Sequence, residues 1–194
     1  MRRWLVDTQL IADWCLWQLA DEPHQKRRIE RAAVLTSVLA SRVARDALNR
    51  ALEKSTVLLS TNVVVETTGV LWRRLQNDHR GDEDDDRLNE KFLRSNLKFA
   101  DRFKVELIDV SEQDADNELK EMNRSNPPKP FDLGDAALLA AHNETADRSL
   151  LTSDQRLFTY CVNAGRKNVF RFNQGDIFDS KGNLHREEYA KPSK

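Results

Sequence analysis

Short apolar runs alternate along this chain with longer stretches in which apolar residues recur every three or four positions, and that alternation predicts strands joined by helices. Trp4 to Val6 is one such run, ended by Asp7 and Thr8, as expected of a buried parallel strand that meets a helix N-terminus. From Gln9 to Ala20 the spacing becomes helical, with Leu10, Trp14, Trp17 and optionally Cys15 on one face, until Asp21, Glu22 and Pro23 break it. Between Gln25 and Glu53, apolar residues at Ile29, Ala33, Val38 or Leu39, Val43, Ala47, Leu48 and Leu52 predict one or two amphipathic helices.

Thr56 to Leu59 reads as a second buried strand. Ser60 or Thr61 can cap the helix that follows, from Val63 to Leu75, which carries Glu66 in its early turns. Leu88 to Phe103 is helical in pattern, Val105 to Val110 ends like a strand, and Glu112 to Asn123 predicts a helix. Pro127, Pro128 and Pro130 then force an extended connection that borders the predicted site. Asp132 and Asp135 form an Asp-x-x-Asp start to the apolar segment Ala136 to Ala141, with Asp132 read as the cap. Leu150 to Thr152 is the next strand, Ser153 and Asp154 follow it, a helix runs from Gln155 to Ala164 before Gly165, and Val169 to Phe172 is read as the last strand.

The regular alternation of strand and helix predicts an α/β domain with a central, mainly parallel sheet flanked by helices. Residues 1–178 are expected to form it, with a helical insertion over 21–54 and an acidic loop over 79–87; residues 179–194 read as a polar tail, frayed or used as a contact arm. A chain of 194 residues suits one such domain, and 39 % apolar against 32 % charged residues is enough apolar material for a core.

Charge and cysteine usage narrow the chemistry. A net charge of -1 excludes a protein that grips nucleic acid by bulk positive charge, so any such binding needs a local patch. Basic residues cluster at Lys26, Arg27, Arg28 and Arg31, at Arg42, Arg45 and Arg50, and at Arg73 and Arg74; a solvated helix face is the ordinary explanation of each cluster, and Arg73 and Arg74, about two turns beyond Glu66, are the first candidates for phosphate contacts. The run Gly81 to Asp86 lacks the alternating ligands and closing Glu of an EF-hand. Cys15 and Cys161 form neither a disulfide framework nor a zinc motif. The apolar run at the N-terminus is too short for a signal peptide, and no stretch approaches the roughly 20 apolar residues of a membrane span, so a cytoplasmic protein without membrane contact is expected.

The acids acquire meaning from the sheet. Asp7 and Asp154 follow strands, Glu66 lies on the helix after the second strand, and Asp135 starts a later helix, so all four are expected at the carboxyl edge where open α/β sheets bind ligands. Carboxylates brought together repel, and a divalent cation with a preference for oxygen reverses that penalty. The cluster therefore predicts Mg²⁺ or Mn²⁺ held by Asp7, Glu66, Asp135 and Asp154, in a site able to activate water against a phosphodiester. Each acid taken singly also has an ordinary reading as a cap, a dipole partner or a surface residue.

The segments Leu5-Val6-Asp7-Thr8, Ser60 to Glu66, Asp135 to Ala141 and Leu150-Leu151-Thr152-Ser153-Asp154 resemble, in order, the motifs of the PIN-domain nucleases. The resemblance covers roughly residues 3–172 and implies a metal-dependent ribonuclease with Asp7, Glu66, Asp135 and Asp154 as its acidic quartet and Thr152 as hydrogen-bonding support; Asp132, read as the cap rather than a ligand, has a supporting place beside them. It implies RNA or another single-stranded nucleic acid as substrate. Bacterial toxin-type members are restrained by a partner protein, so an inhibitory partner and a homodimer belong to the expectation; the stretch between Asp7 and Glu66 is longer than in compact toxins, and the acidic insertion is additional. Two other classes stand beside it: a non-catalytic PIN-like module that binds nucleic acid or protein, and a phosphoacceptor domain, which lacks its lysine on the late strand.

Overall fold

The computed structural model describes residues 2–20, 39, 41–76, 85–125, 127–143 and 145–185. Strand β1 (Arg3–Val6) leads into helix α1 (Thr8–Ala20); after α2 (Arg42–Glu53) come β2 (Thr56–Ser60), α3 (Thr61–Gln76), α4 (Asp85–Arg102) and β3 (Lys104–Ile108). Helices α5 (Glu112–Asn123) and α6 (Leu133–Asn143) precede β4 (Arg148–Thr152), α7 (Gln155–Asn163), β5 (Val169–Asn173) and β6 (Asp176–Asp179). The six strands form one sheet in the order β3-β2-β1-β4-β5-β6. The first five pair in parallel, with Trp4 opposite Val57 and Ser149, and β6 runs antiparallel to β5. This is the mainly parallel α/β architecture that the alternation predicts.

Central strands covered on both faces need apolar side chains on both, and β2 and β4 are buried at every position. Trp4, Leu5, Leu58, Leu150 and Phe172 fill the middle of the core. Helix α6 packs against β1, β2 and β4 and against α5, while α1 packs against α3 and α4. Trp14 and Trp17 lie in this core, as their spacing predicts, with Trp14 edge-on to Phe99. Edge strand β3 is partly exposed, Leu107 most of all.

Three features depart from the sequence reading. Helix α4 begins at Asp85, so Asp85 to Arg87 are helical rather than part of a loop over 79–87; residues 77–84 lie outside the described residues. The stretch 21–54 is not among them: its described portion is mainly the helix α2, as its apolar spacing predicts, with the Ser41 side chain accepting from the Ala44 amide, and residues 21–38 lie outside the described residues. Val169–Phe172 is not in the last strand. A two-residue turn with positive φ at Gln174 and Gly175 folds β6 back on β5, the geometry that hairpins with right-handed twist favour. Asp179 then accepts hydrogen bonds from the amides of Lys181 and Asn183, both at 2.8 Å, and Phe178 bridges to Leu184. Residues 179–185 are thus folded against the sheet edge instead of frayed; residues 186–194 lie outside the described residues.

Candidate active site

From β1 the chain moves outward through β2 to β3, and β4 and β5 lie on β1's other side, so the order reverses between β1 and β4. The crevice outside the carboxyl ends at such a reversal is where these sheets bind ligands. Two predicted acids follow directly from those two strands. The Asp7 amide donates to the Leu151 carbonyl at 3.0 Å, which extends the β1–β4 pairing to the first acid. Its carboxylate oxygen Oδ1 accepts from the Gln9 amide at 3.1 Å, capping α1, and Oδ2 accepts from Thr152 Oγ1 at 2.6 Å. Thr152 Oγ1 also accepts from the Asp154 amide at 2.9 Å. Asp154 in turn caps α7, Oδ1 accepting from the amides of Arg156 at 2.6 Å and Leu157 at 3.1 Å. The last residue of β4 therefore fastens both strand-end acids to each other.

The remaining acids arrive from helices. Ser60, the last residue of β2, accepts from the Val63 amide at 3.2 Å and so fixes the start of α3. That start brings Glu66 round to Thr8, whose hydroxyl donates to Oε2 at 2.9 Å. Asp132 accepts from the Asp135 amide at 3.0 Å, the capping role expected of it. Asp135 stands in the first turn of α6 with Oδ2 3.2 Å from Arg156 Nη2. Asp7, Glu66, Asp132, Asp135 and Asp154 all line one cavity of about 320 Å³, where the facing cations are Lys129 and Arg156. Exposed Arg73 lies on α3 near enough for its charge to act on Glu66; the Arg74 side chain lies outside the described residues.

Five carboxylates against two cations, partly shut off from water, raise the cost of ionisation. Burial pushes the Asp7 and Glu66 carboxyls above their ordinary range, against hydrogen bonds from Thr152 and Thr8 that oppose the rise. Asp135 is pushed up to about 7, first by burial and then by the negative charges of Asp132, Asp7 and Asp154, with Arg156 opposing.

Three residues at or beside this cavity have no place in the sequence expectation: Lys129, Arg156 and Gly134. Arg156 supplies the guanidinium that reaches Asp135. Gly134 leaves the space into which Glu66 fits: a Cβ there would stand 2.8 Å from the Glu66 carboxyl carbon. A glycine inside a helix costs about 1 kcal/mol relative to alanine, and this is the sequence signal by which Gly134 could have been noticed.

Among the described residues, no group of three His, Cys, Asp or Glu side chains is poised as it stands to hold a metal ion. Asp7 is engaged at both oxygens, while Asp154, Glu66 and Asp135 each have one oxygen committed to a cap, a threonine and an arginine. In kind the donors nevertheless fit Mg²⁺ or Mn²⁺, since they are hard oxygens in a cavity with surplus negative charge, beside a cradle that a Cβ would fill.

Thr152 offers a direct probe of this network. Thr152→Val keeps the shape but removes the donor to Asp7 and the acceptor of the Asp154 amide, and should cost about 1–3 kcal/mol in urea unfolding. The same change should lower any activity that depends on the Asp7 carboxylate by roughly tenfold, because it frees that side chain from one of the hydrogen bonds that orient it.

Fold and cavity together define an α/β domain with an acid-lined crevice at the sheet's point of reversal. A family model described as PIN domain matches residues 31–162, and the chain belongs to that family. PIN domains are generally nucleases that use divalent metals. Glu66, Asp135 and Asp154 fall within the matched residues, and Asp7 precedes them. No curated protein and no solved structure matched the chain. No helix among the described residues is long and apolar enough to cross a membrane.

Proposed function

We propose that this PIN domain is a divalent-metal-dependent endoribonuclease, with Asp7, Glu66, Asp135 and Asp154 holding Mg²⁺ or Mn²⁺. The observation that carries the reading is that these four acids, distant in the chain and delivered by different elements, line one cavity. When bound, such an ion supplies the positive charge that polarises a phosphodiester and makes water more acidic. The chain's own groups do the rest. Thr152 and the Gln9 amide hold the Asp7 carboxylate in one orientation. Thr8 does the same for Glu66. Lys129 and Arg156 place cations on the cavity wall, where the phosphates of a single strand would lie.

A toxin restrained by an inhibitory protein, or acting as a homodimer, belongs to the same proposal, with Val65, 74 % exposed and next to Glu66 in the chain, and Leu133, 46 % exposed and next to Asp132, as side chains a partner would cover. A non-catalytic PIN module that only binds nucleic acid or protein has one observation in its favour, the Asp135–Arg156 ion pair, which partly neutralises the cavity without a metal.

The deciding experiment is an RNA cleavage assay on purified protein. Cleavage should vanish in EDTA and return with Mn²⁺ or Mg²⁺. Cleavage that persists in EDTA would remove the metal from the reading, and RNA that is bound without metal and never shortened would leave the binding module.

A further inference from the structure

Arg156 sits two residues beyond Asp154 in the first turn of α7, and its amide is one of the two that Asp154 Oδ1 accepts. That cap roots the side chain beside the acids. The guanidinium then divides between two tasks. Nη1 donates to the carbonyls of Lys129 at 2.8 Å and Pro130 at 2.9 Å, and the guanidinium carbon stands 4.3 Å over the Phe131 ring. Nη2 donates to Asp135 Oδ2 at 3.2 Å. A planar fork with several donors in fixed directions can bridge two carbonyls and a carboxylate at once, with less ordering cost than an ammonium on a flexible stem.

The segment gripped in this way is itself anchored from the other side. The Phe131 amide donates to Asn123 Oδ1 at 2.8 Å, and Asn123 Nδ2 donates back to the Phe131 carbonyl at 3.1 Å. Lys129 and Pro130 wall the acid cavity, so Arg156 joins that wall to the carboxylate opposite. With side chains 30 % and 17 % exposed, the Arg156–Asp135 pair is better shielded than a surface ion pair.

We infer that Arg156 is the cavity's built-in counter-cation, a positioning residue that occupies Asp135 Oδ2 in the ion-free protein and competes with a divalent cation for that carboxylate. The inference rests on the proposed reading of Asp135 as a metal ligand. A guanidinium and a doubly charged ion cannot share one carboxylate oxygen without strong mutual repulsion. Arg156's hold on the two carbonyls does not depend on the acid. Once Asp135 is surrendered, the guanidinium therefore stays at the rim with Nη2 free for a phosphate oxygen, its other ordinary partner. Ion binding thus turns an acid's partner into a substrate's partner.

Calorimetric titration of the full chain with Mn²⁺ tests this. Arg156→Gln should bind Mn²⁺ roughly tenfold more tightly than wild type, because a positive charge has left the site. Its KM for RNA should rise, since a phosphate contact is lost. Arg156→Lys, which keeps the charge, should stay within about threefold of wild type in Mn²⁺ affinity. Unchanged or weaker Mn²⁺ binding by a folded Arg156→Gln protein overturns the inference. Should circular dichroism show that variant unfolded, side-chain ¹⁵N NMR of the wild type decides: the Arg156 guanidinium signal, assigned by its loss in Arg156→Lys, should shift on saturation with Mg²⁺, and an unmoved signal overturns the inference. Mn²⁺ uptake that Asp135→Asn reduces but Arg156→Gln leaves unaltered sinks only the role of Arg156. Absence of uptake by wild type, or uptake indifferent to Asp135→Asn, sinks the metal reading and this inference with it.

Discussion

Asp135→Asn is expected to lower Mn²⁺-dependent RNA cleavage on the order of 10²–10³-fold and, in EDTA at pH 8, to raise the melting temperature. Both effects have one cause. In the metal-free protein the Asp135 carboxyl is pushed from an ordinary 3.8 to about 7, chiefly by burial and then by three neighbouring carboxylates. Between those two pH values the folded state binds more protons than the unfolded state, so stability falls as pH rises through the interval. Below about 4 the penalty is absent; above about 7 it is fully present. A shift of this size corresponds to at most roughly 4 kcal/mol, and with Asp135 partly exposed and Arg156 opposing, about 1–3 kcal/mol is the better expectation. Asparagine cannot ionise and escapes most of the penalty, although it loses the ionic part of the contact with Arg156. The gain should be about 2–6 °C at pH 8 and should shrink at pH 5. The same negative charge that destabilises the empty fold is what an ion would use, so Mn²⁺ should raise the melting temperature of wild type and have much less effect on the variant. Asp7→Asn should act in the same direction on cleavage. Thermal melts at the two pH values, with and without Mn²⁺, together with cleavage rates, check both halves; equal cleavage by wild type and both variants would end the proposal.

The acids were legible because each sits at the end of a pattern. Asp7 and Asp154 close short apolar runs, and runs of that kind are strands whose carboxyl ends share an edge in a parallel sheet. Glu66 and Asp135 follow recognisable helix starts at Ser60 and Asp132, and both starts cap as their sequences suggest. What periodicity could not show was the direction of a long side chain between elements distant in sequence. Arg156 reads as one more basic residue on a helix, and its bonds to Lys129, Pro130 and Asp135 exist only after α6, α7 and the proline segment are packed. Strand β6 went unrecognised for another reason: Ile177 and Phe178 make a very short apolar run, and the signal lay in the preceding Gln174-Gly175 turn. The acidic run misled at its end because like charge predicts a loop, whereas the first turn of a helix is a favourable place for negative residues.

Gly134→Ala should separate stability from function most sharply. Gly134 lies in the first turn of α6 without a positive φ, so nothing in its backbone demands glycine. By propensity alone, alanine should stabilise a helix interior by up to about 1 kcal/mol. The demand comes from Glu66: an added Cβ would collide with its carboxyl group, 2.8 Å from the carboxyl carbon and 2.9 Å from Oε1. Those atoms end a flexible side chain, so the least costly relief is for Glu66 to rotate away, breaking its hydrogen bond from Thr8. The lost bond costs about 1 kcal/mol, comparable with the helix gain, so the melting temperature should change by no more than a few degrees. The site, in contrast, loses one of its four acids from the cavity, and a displacement of about 1 Å can cost on the order of 10²-fold in rate. Cleavage should accordingly fall by roughly 10–10²-fold, with weaker Mn²⁺ binding in calorimetry. The double variant Gly134→Ala, Glu66→Gln should show little further loss beyond Glu66→Gln alone, because both changes act on the same carboxylate. If Gly134→Ala cleaves like wild type, Glu66 does its work elsewhere or none at all; if it unfolds, the close approach serves packing rather than the ion.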